Sequence, residues 1–306
     1  MRDLQDVLAL YDTPLAELAA QADRCRRDGV GDALEVCGII NAKAGRCSED
    51  CRYCAQSARH RTGITEYPLK PVSDMVAAAE RAAQAGCARF GIVTSGPTLD
   101  EEELDRVAQA VRAITARTGC GVCASLGALS AEQFARLREA GLTRYNHNIE
   151  TSPEHFGRIV TTHGFEDRMR TTRAAAEAGL QVCCGGIIGM GETREDRAAM
   201  ALTLREMAVD SVPINILMPV PGTPLEDVEP TGPIEALRTI AVFRILMPDR
   251  TIKLAGGRES GLGDFQGMAF MAGANGLILG DYLTQRGRPV EQDRLLLEAV
   301  REAWTI

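Results

Sequence analysis

From residue 35 onward, short apolar runs rich in β-branched residues alternate with longer Ala-rich stretches whose apolar positions recur at helical spacing. That alternation is what repeated strand–helix units around a parallel sheet require, since each strand is buried on both faces and each helix on one. The runs predict eight strands, at Glu35–Asn41, Ala88–Thr94, Gly121–Leu126, Thr143–Glu150, Leu180–Ile188, Ser211–Leu217, Thr251–Ala255 and Gly276–Gly280. Between them, helices are predicted over Ser73–Ala85, Asp100–Thr118, Ala131–Ala140, Arg168–Ala178 and Glu195–Ala208. Several open on Ser, Thr or Asp, and Gly86, Gly141 and Gly179 each stand where a helix should stop. Eight such units without a Pro/Gly/Ser-rich linker predict an α/β fold, a closed (β/α)8 TIM barrel over residues 35–306, with residues 1–34 as an N-terminal helical cap. Catalytic groups of such a barrel project from the C-terminal ends of its strands.

Composition narrows the function classes. The 306 residues are 45% apolar and 25% charged, enough for a large core without disulfides. A net charge of −8, with no stretch that interleaves basic and aromatic residues, argues against a nucleic-acid partner. The N-terminal Met1-Arg2-Asp3-Leu4 lacks the basic-then-apolar pattern of a signal peptide. No apolar run approaches the roughly 18 to 20 residues needed to span a bilayer. The expected location is cytoplasmic, with no membrane partner. In that reducing compartment the ten cysteines are not a disulfide framework, and those that cluster read as metal ligands.

Three of them cluster, in Cys47-Ser48-Glu49-Asp50-Cys51-Arg52-Tyr53-Cys54 after the first predicted strand. Thiolates are the soft ligands of iron–sulfur clusters, and a Cys-x3-Cys-x2-Cys loop can wrap one corner of a cubane. Three ligands leave the fourth iron open to a cosubstrate. A structural zinc site normally has four closed ligands. The alternatives are such a zinc site or three unrelated buried cysteines. The loop resembles the radical S-adenosylmethionine (SAM) signature, in which a [4Fe-4S] cluster binds SAM and the aromatic, here Tyr53, lies beside the adenine.

Longer motifs narrow the resemblance. Tyr145–Glu154, Val182–Thr193, Ser211–Asn215, Gly256–Glu259 and Phe270–Asn275 are, in order, similar to the biotin synthase family. That resemblance implies SAM contacts from Asn148 and Glu150 at the ribose and from Arg168 at the methionine carboxylate. It also implies that Asn146 and Asn215 pair with the ureido ring of dethiobiotin. Glu150 stands where the family commonly has Asp. Alternation along a strand independently places residues 146, 148 and 150 on one face and His147 on the other, which makes His147 a packed or surface histidine. The glycines of Gly185–Gly191 lack dinucleotide-site spacing and suit close backbone approach to SAM.

The family also carries an auxiliary cluster, [2Fe-2S] in its familiar form, that supplies sulfur from a site of three cysteines and one arginine. Cys123, Cys183 and Arg258 match three of those ligands, and Gly91 stands where the fourth is expected. Cys37 on the first strand is the candidate replacement, ahead of Cys184, which faces away unless its strand bulges. Cys25, Cys87, Cys120 and Cys184 read as small buried hydrophobes. The altered set leaves open a different cluster, such as a four-iron one.

The chemistry implied is reductive SAM cleavage to a 5′-deoxyadenosyl radical, hydrogen abstraction from dethiobiotin, and capture of an auxiliary-cluster sulfide, twice, to close the thiophane ring. The family further implies a flavodoxin or ferredoxin as electron donor and a homodimer. Two other readings are another radical-SAM reaction on a related barrel, maturase- or mutase-like, and a non-catalytic iron–sulfur sensor.

Overall fold

The computed structural model describes residues 3–305. Nine short strands form the sheet: β1 (Glu35–Lys43), β2 (Arg89–Thr94), β3 (Gly121–Ser125), β4 (Leu142–Asn146), β5 (Gln181–Cys183), β6 (Gly186–Ile188), β7 (Ser211–Ile216), β8 (Thr251–Leu254) and β9 (Gly276–Ile278). Every pairing is parallel, in the order β5-β4-β3-β2-β1-β9-β8-β7-β6, and a β5–β7 pairing at Cys183 and Ser211 closes the ring. β5 and β6 are two halves of one predicted strand and share one barrel position. The structure is therefore the closed eight-position barrel that the periodicity predicts.

Among the described residues, twelve α-helices pack around it: α1 (Leu4–Tyr11), α2 (Leu15–Gly29), α3 (Val72–Gln84), α4 (Glu101–Arg117), α5 (Ala131–Glu139), α6 (Pro153–Ile159), α7 (Phe165–Glu177), α8 (Arg194–Glu206), α9 (Pro233–Leu246), α10 (Arg258–Leu262), α11 (Gln266–Met271) and α12 (Val290–Thr305). Their starts are chemically marked. Asp100 accepts from the Glu103 N–H, and Ser130 and Thr193 close capping boxes with Gln133 and Asp196. Gly86, Gly141 and Gly179 follow α3, α5 and α7 at φ of 87°, 105° and 78°, where a Cβ would be strained. The core lies between the strands and this helical layer, in residues such as Phe90, Val122, Ile252 and Leu277. The two helices preceding β1 rest on α8, α9 and α11.

Two predicted strands stop early, with consequences for the site. Beyond Asn146 the pleat ends: the His147 and Ile149 N–H groups reach Cys183 O and Gly185 O, and Glu150 adopts a left-handed φ of 68°. The fifth strand breaks at Cys184-Gly185. A Cβ on Gly185 would lie 2.0 Å from Pro213 O, and Pro213 has no N–H to give a ladder at that level of β7.

Candidate active site

The loop after β1 folds back on itself through Cys47 N–H to Gln56 O (3.1 Å), Cys54 N–H to Cys51 O (2.9 Å) and Ala58 N–H to Cys47 O (2.8 Å). These bonds turn one short segment around its own three sulfurs. Cys51 is buried, and Cys47 and Cys54 are half-buried. Burial pushes the thiols of Cys51 and Cys54 up, to about 12 and about 11. Metal binding there must displace protons. Three thiols carried on one loop are of the kind that iron–sulfur clusters take as ligands.

Tyr53 and Cys54 open onto a cavity of ≈350 Å³ inside the barrel, which is also lined by Asn148, Glu150 and Arg168. That volume falls in the range of small-molecule sites. Glu150 is buried, which raises its carboxyl above the ordinary value, while Arg168 Nη1 lies 3.6 Å from it. Arg168 also donates to Asn148 O (3.0 Å), and Asn148 Oδ1 accepts from Gly185 N–H (3.1 Å). The strand break thus holds Asn148 in place.

Asn146 and Asn215 line the same cavity. Asn146 Oδ1 is buried with no partner, an acceptor awaiting a donor, whereas Asn215 is held by Gly256 N–H (3.0 Å) and Gly186 O (3.1 Å). Contrary to strand parity, His147 lines the cavity too. Parity fails because β4 ends one residue earlier. Burial, with the Arg168 charge nearby, keeps the His147 imidazole neutral, well below its ordinary value.

Toward the N-terminal ends of the strands, Cys37, Cys123 and Cys183 line the cavity floor, and Gly91 lies beside Cys123 in register. Cys184 does not join them. It is fully buried in the outer core with Cys87 and Cys120, whose thiol meets Cys87 O at 3.1 Å; Cys25 packs against that core half-buried.

Arg258 requires a correction. It lies four residues past β8, after Gly257 turns the chain at φ 79°, and its guanidinium is buried against Asp293 Oδ2 (2.5 Å), Glu259 (3.3 Å) and Gln266, away from the cavity. On β8 the cation that lines the cavity is Lys253. Its Nζ lies 3.1 Å from Cys37 Sγ and 2.8 Å from Glu35. Arg144 of β4 also pairs with Glu35 (2.7 Å), and its Nε is buried with no partner. Sequence reasoning missed Lys253 and His147. The signal for Lys253 was a lone charge in Thr251-Ile252-Lys253-Leu254-Ala255, an otherwise apolar strand.

Residues 43–204 match the Radical SAM superfamily, and residues 213–300 match the Biotin and Thiamin Synthesis associated domain. A biotin synthase of Geobacter sulfurreducens is 48% identical over 96% of this chain and 90% of its own length. One of Thermotoga neapolitana is 47% identical over 88% of this chain and 96% of its own length. Among solved structures, methylornithine synthase superposes with a TM-score of 0.83 at 21% identity, covering 97% of this chain and 92% of its own. The FeFe-hydrogenase maturase of Carboxydothermus hydrogenoformans gives 0.81 at 16% identity, covering 97% of this chain and 75% of its own. At such identities the superpositions speak for the barrel alone, and the choice among radical-SAM chemistries rests on the sequence relatives.

Proposed function

The chain belongs to the biotin synthase family, and from that premise we propose how its own residues divide the labour of converting dethiobiotin to biotin. When bound, the [4Fe-4S] cluster with SAM supplies the radical chemistry and the auxiliary iron–sulfur cluster supplies the sulfur. Cys47, Cys51 and Cys54 hold the first cluster. Tyr53 flanks the adenine, Asn148 and Glu150 take the ribose, and Arg168 takes the carboxylate. Asn146, through its unpartnered Oδ1, accepts from a ureido N–H, and Asn215 fixes the backbone that walls the same pocket.

Cys37, Cys123 and Cys183 hold the auxiliary cluster, with Lys253 replacing Arg258 as the cation beside it. The donor set fits that group: three thiols face one floor, and a buried Arg144 Nε there lacks a partner. Whether the cluster has two irons or four is read from iron and sulfide content with a Mössbauer spectrum. The electron donor is a flavodoxin or ferredoxin, and the working form is a cytoplasmic homodimer. The free state of all ten cysteines accords with a reducing compartment, and no helix among the described residues is long and apolar enough to cross a membrane.

The observation that carries this reading is the convergence, in one cavity, of the loop cysteine Cys54 with Asn148, Glu150 and Arg168 above and Cys37, Cys123 and Cys183 below. Each of Cys47→Ala, Cys51→Ala and Cys54→Ala should abolish 5′-deoxyadenosine formation by dithionite-reduced protein, because one lost thiolate unseats the corner. Undiminished product in all three would overturn the assignment. Dethiobiotin should stimulate SAM cleavage where its acyclic diamino precursor does not, and equal stimulation by both would remove the ureido pairing.

A further inference from the structure

The loop that carries the three cysteines is bonded to the segment between α6 and α7. Asp50 accepts from the Thr161 and Thr162 N–H groups (2.9 and 3.2 Å), and Arg52 N–H donates to Ile159 O (3.0 Å). The Arg52 contact is backbone to backbone, whereas Asp50 accepts through its side-chain carboxylate. One further connection runs through side chains and ends on Arg168. Glu49, between Cys47 and Cys51, meets His163 Nδ1 at 2.6 Å, and Arg168 Nε donates to His163 Nε2 at 3.1 Å.

The direction of these bonds follows from their ends. An arginine can only donate, so Nε2 must be the acceptor and the ring proton sits on Nδ1, from which it is donated to the Glu49 carboxylate. The Thr162 hydroxyl also donates to Glu49, and the imidazole lies edge-on to Phe156 at 5.7 Å. His163 is thus held by Glu49 and Phe156 and in turn fixes the plane of the guanidinium. The remaining Arg168 bond, Nη1 to Asn148 O, anchors the far side of the fork. A guanidinium fixed in plane presents its two outer nitrogens in the geometry a carboxylate needs for bidentate pairing.

We propose that Glu49 and His163 are a positioning pair that orients Arg168 toward the SAM carboxylate and couples the order of the cysteine loop to SAM binding. The proposal rests on the assignment of Arg168 to that carboxylate. It concerns neither an iron ligand nor a group that touches the reacting atoms. Coupling is reciprocal by linkage: what the folded loop gives to SAM binding, bound SAM returns to the loop.

The test uses anaerobically reconstituted full-length protein carrying His163→Leu, His163→Gln, Arg168→Ala, or the Leu and Ala changes together. SAM affinity is read from the SAM-induced change in the paramagnetic spectrum of the reduced [4Fe-4S] cluster, beside iron content and the spectrum without SAM. His163→Leu should weaken SAM binding about tenfold, the size of one lost charge-assisted hydrogen bond, with iron content and the SAM-free spectrum unchanged. His163→Gln should stay within about threefold of wild type, because one amide can accept from Arg168 and donate to Glu49. In the Arg168→Ala background the Leu change should cost nothing further, since two groups acting through one contact are not additive. SAM should slow iron loss to a chelator in wild type and not in His163→Leu. If His163→Leu binds SAM as wild type does while Arg168→Ala does not, the pair has no positioning role and the Arg168 assignment stands. If Arg168→Ala also binds SAM normally, that assignment fails and the pair goes with it. Iron lost together with SAM affinity in His163→Leu would reduce His163 to packing of the loop.

Discussion

Burial pushes the Cys37 thiol up to about 12, while the Lys253 ammonium at 3.1 Å pulls it down. A neutral thiol gains little from that ammonium and a thiolate gains much, so Lys253 favours the form of Cys37 that can ligate iron. Lys253→Met should therefore reduce sulfur insertion about tenfold, a common cost of losing a partner behind a metal ligand, and lower auxiliary iron and sulfide while SAM cleavage by the Cys47/Cys51/Cys54 site persists. Cys37→Ser should do the same more severely, and Cys184→Ser should not, since Cys184 lies in the outer core. Iron, acid-labile sulfide, 5′-deoxyadenosine and biotin measured on the same preparations separate these outcomes; a full auxiliary cluster and normal biotin yield in Cys37→Ser would make Cys37 a buried strand residue. Gly91→Cys in that background has a Cβ 3.2 Å from Ile39 Cγ2, so the stiff, β-branched Ile39 must give by a few tenths of an ångström, and only partial recovery of the cluster is expected. The three loop cysteines were legible in the sequence because their spacing is itself the chemistry. Lys253 was hidden behind the more familiar Gly256-Gly257-Arg258 motif, although it is Lys253 that lines the cavity.

Helices and strands were legible where local signals set them: caps at Asp100, Ser130 and Thr193, stops at Gly86, Gly141 and Gly179, and apolar runs for the barrel. The ends of β4 and the division of β5 from β6 were not, because they depend on contacts across the barrel that no local window contains. Gly185 is the clearest case, since Pro213 O occupies the space of any Cβ there. The resulting break also frees Gly185 N–H to hold Asn148 Oδ1. Gly185→Ala should then cost about 2 kcal/mol, the scale of overpacking against rigid backbone. It should also weaken SAM binding through the displaced Asn148. Thermal unfolding of the apo-protein reads the first effect and SAM titration of the reconstituted protein the second; a stability loss with unchanged SAM affinity would separate the break from the site.

Glu35 acts on the scale of the whole barrel, because its carboxylate joins four strands: it sits on β1 and pairs with Arg89 of β2 (2.7 Å), Arg144 of β4 (2.7 Å) and Lys253 of β8 (2.8 Å). Three cations meet one carboxylate at the N-terminal end of the barrel, next to Cys37, where thiolates formed on iron binding would supply further negative charge. Burial raises the Glu35 carboxyl, but Lys253 and Arg144 outweigh it and hold the group well below the ordinary carboxylate range. A carboxylate depressed in the folded state contributes stability that is fully present above its unfolded value of about 4.3 and is lost as pH falls below that value. The apo-protein should accordingly lose stability on acidification from about pH 5 downward, with part of the slope due to this one residue. In Glu35→Gln the charge is gone at every pH, so urea midpoints at pH 7 should report a loss of about 3 to 5 kcal/mol, the usual cost of leaving buried partners unpaired. The difference from wild type should then narrow toward pH 3. Loading the auxiliary cluster should restore part of the loss at pH 7, since its thiolates offer Lys253 and Arg144 a second counter-charge. Parallel pH profiles for the two proteins would mean that Arg89, Arg144 and Lys253 are neutralised some other way and that the barrel floor does not depend on Glu35.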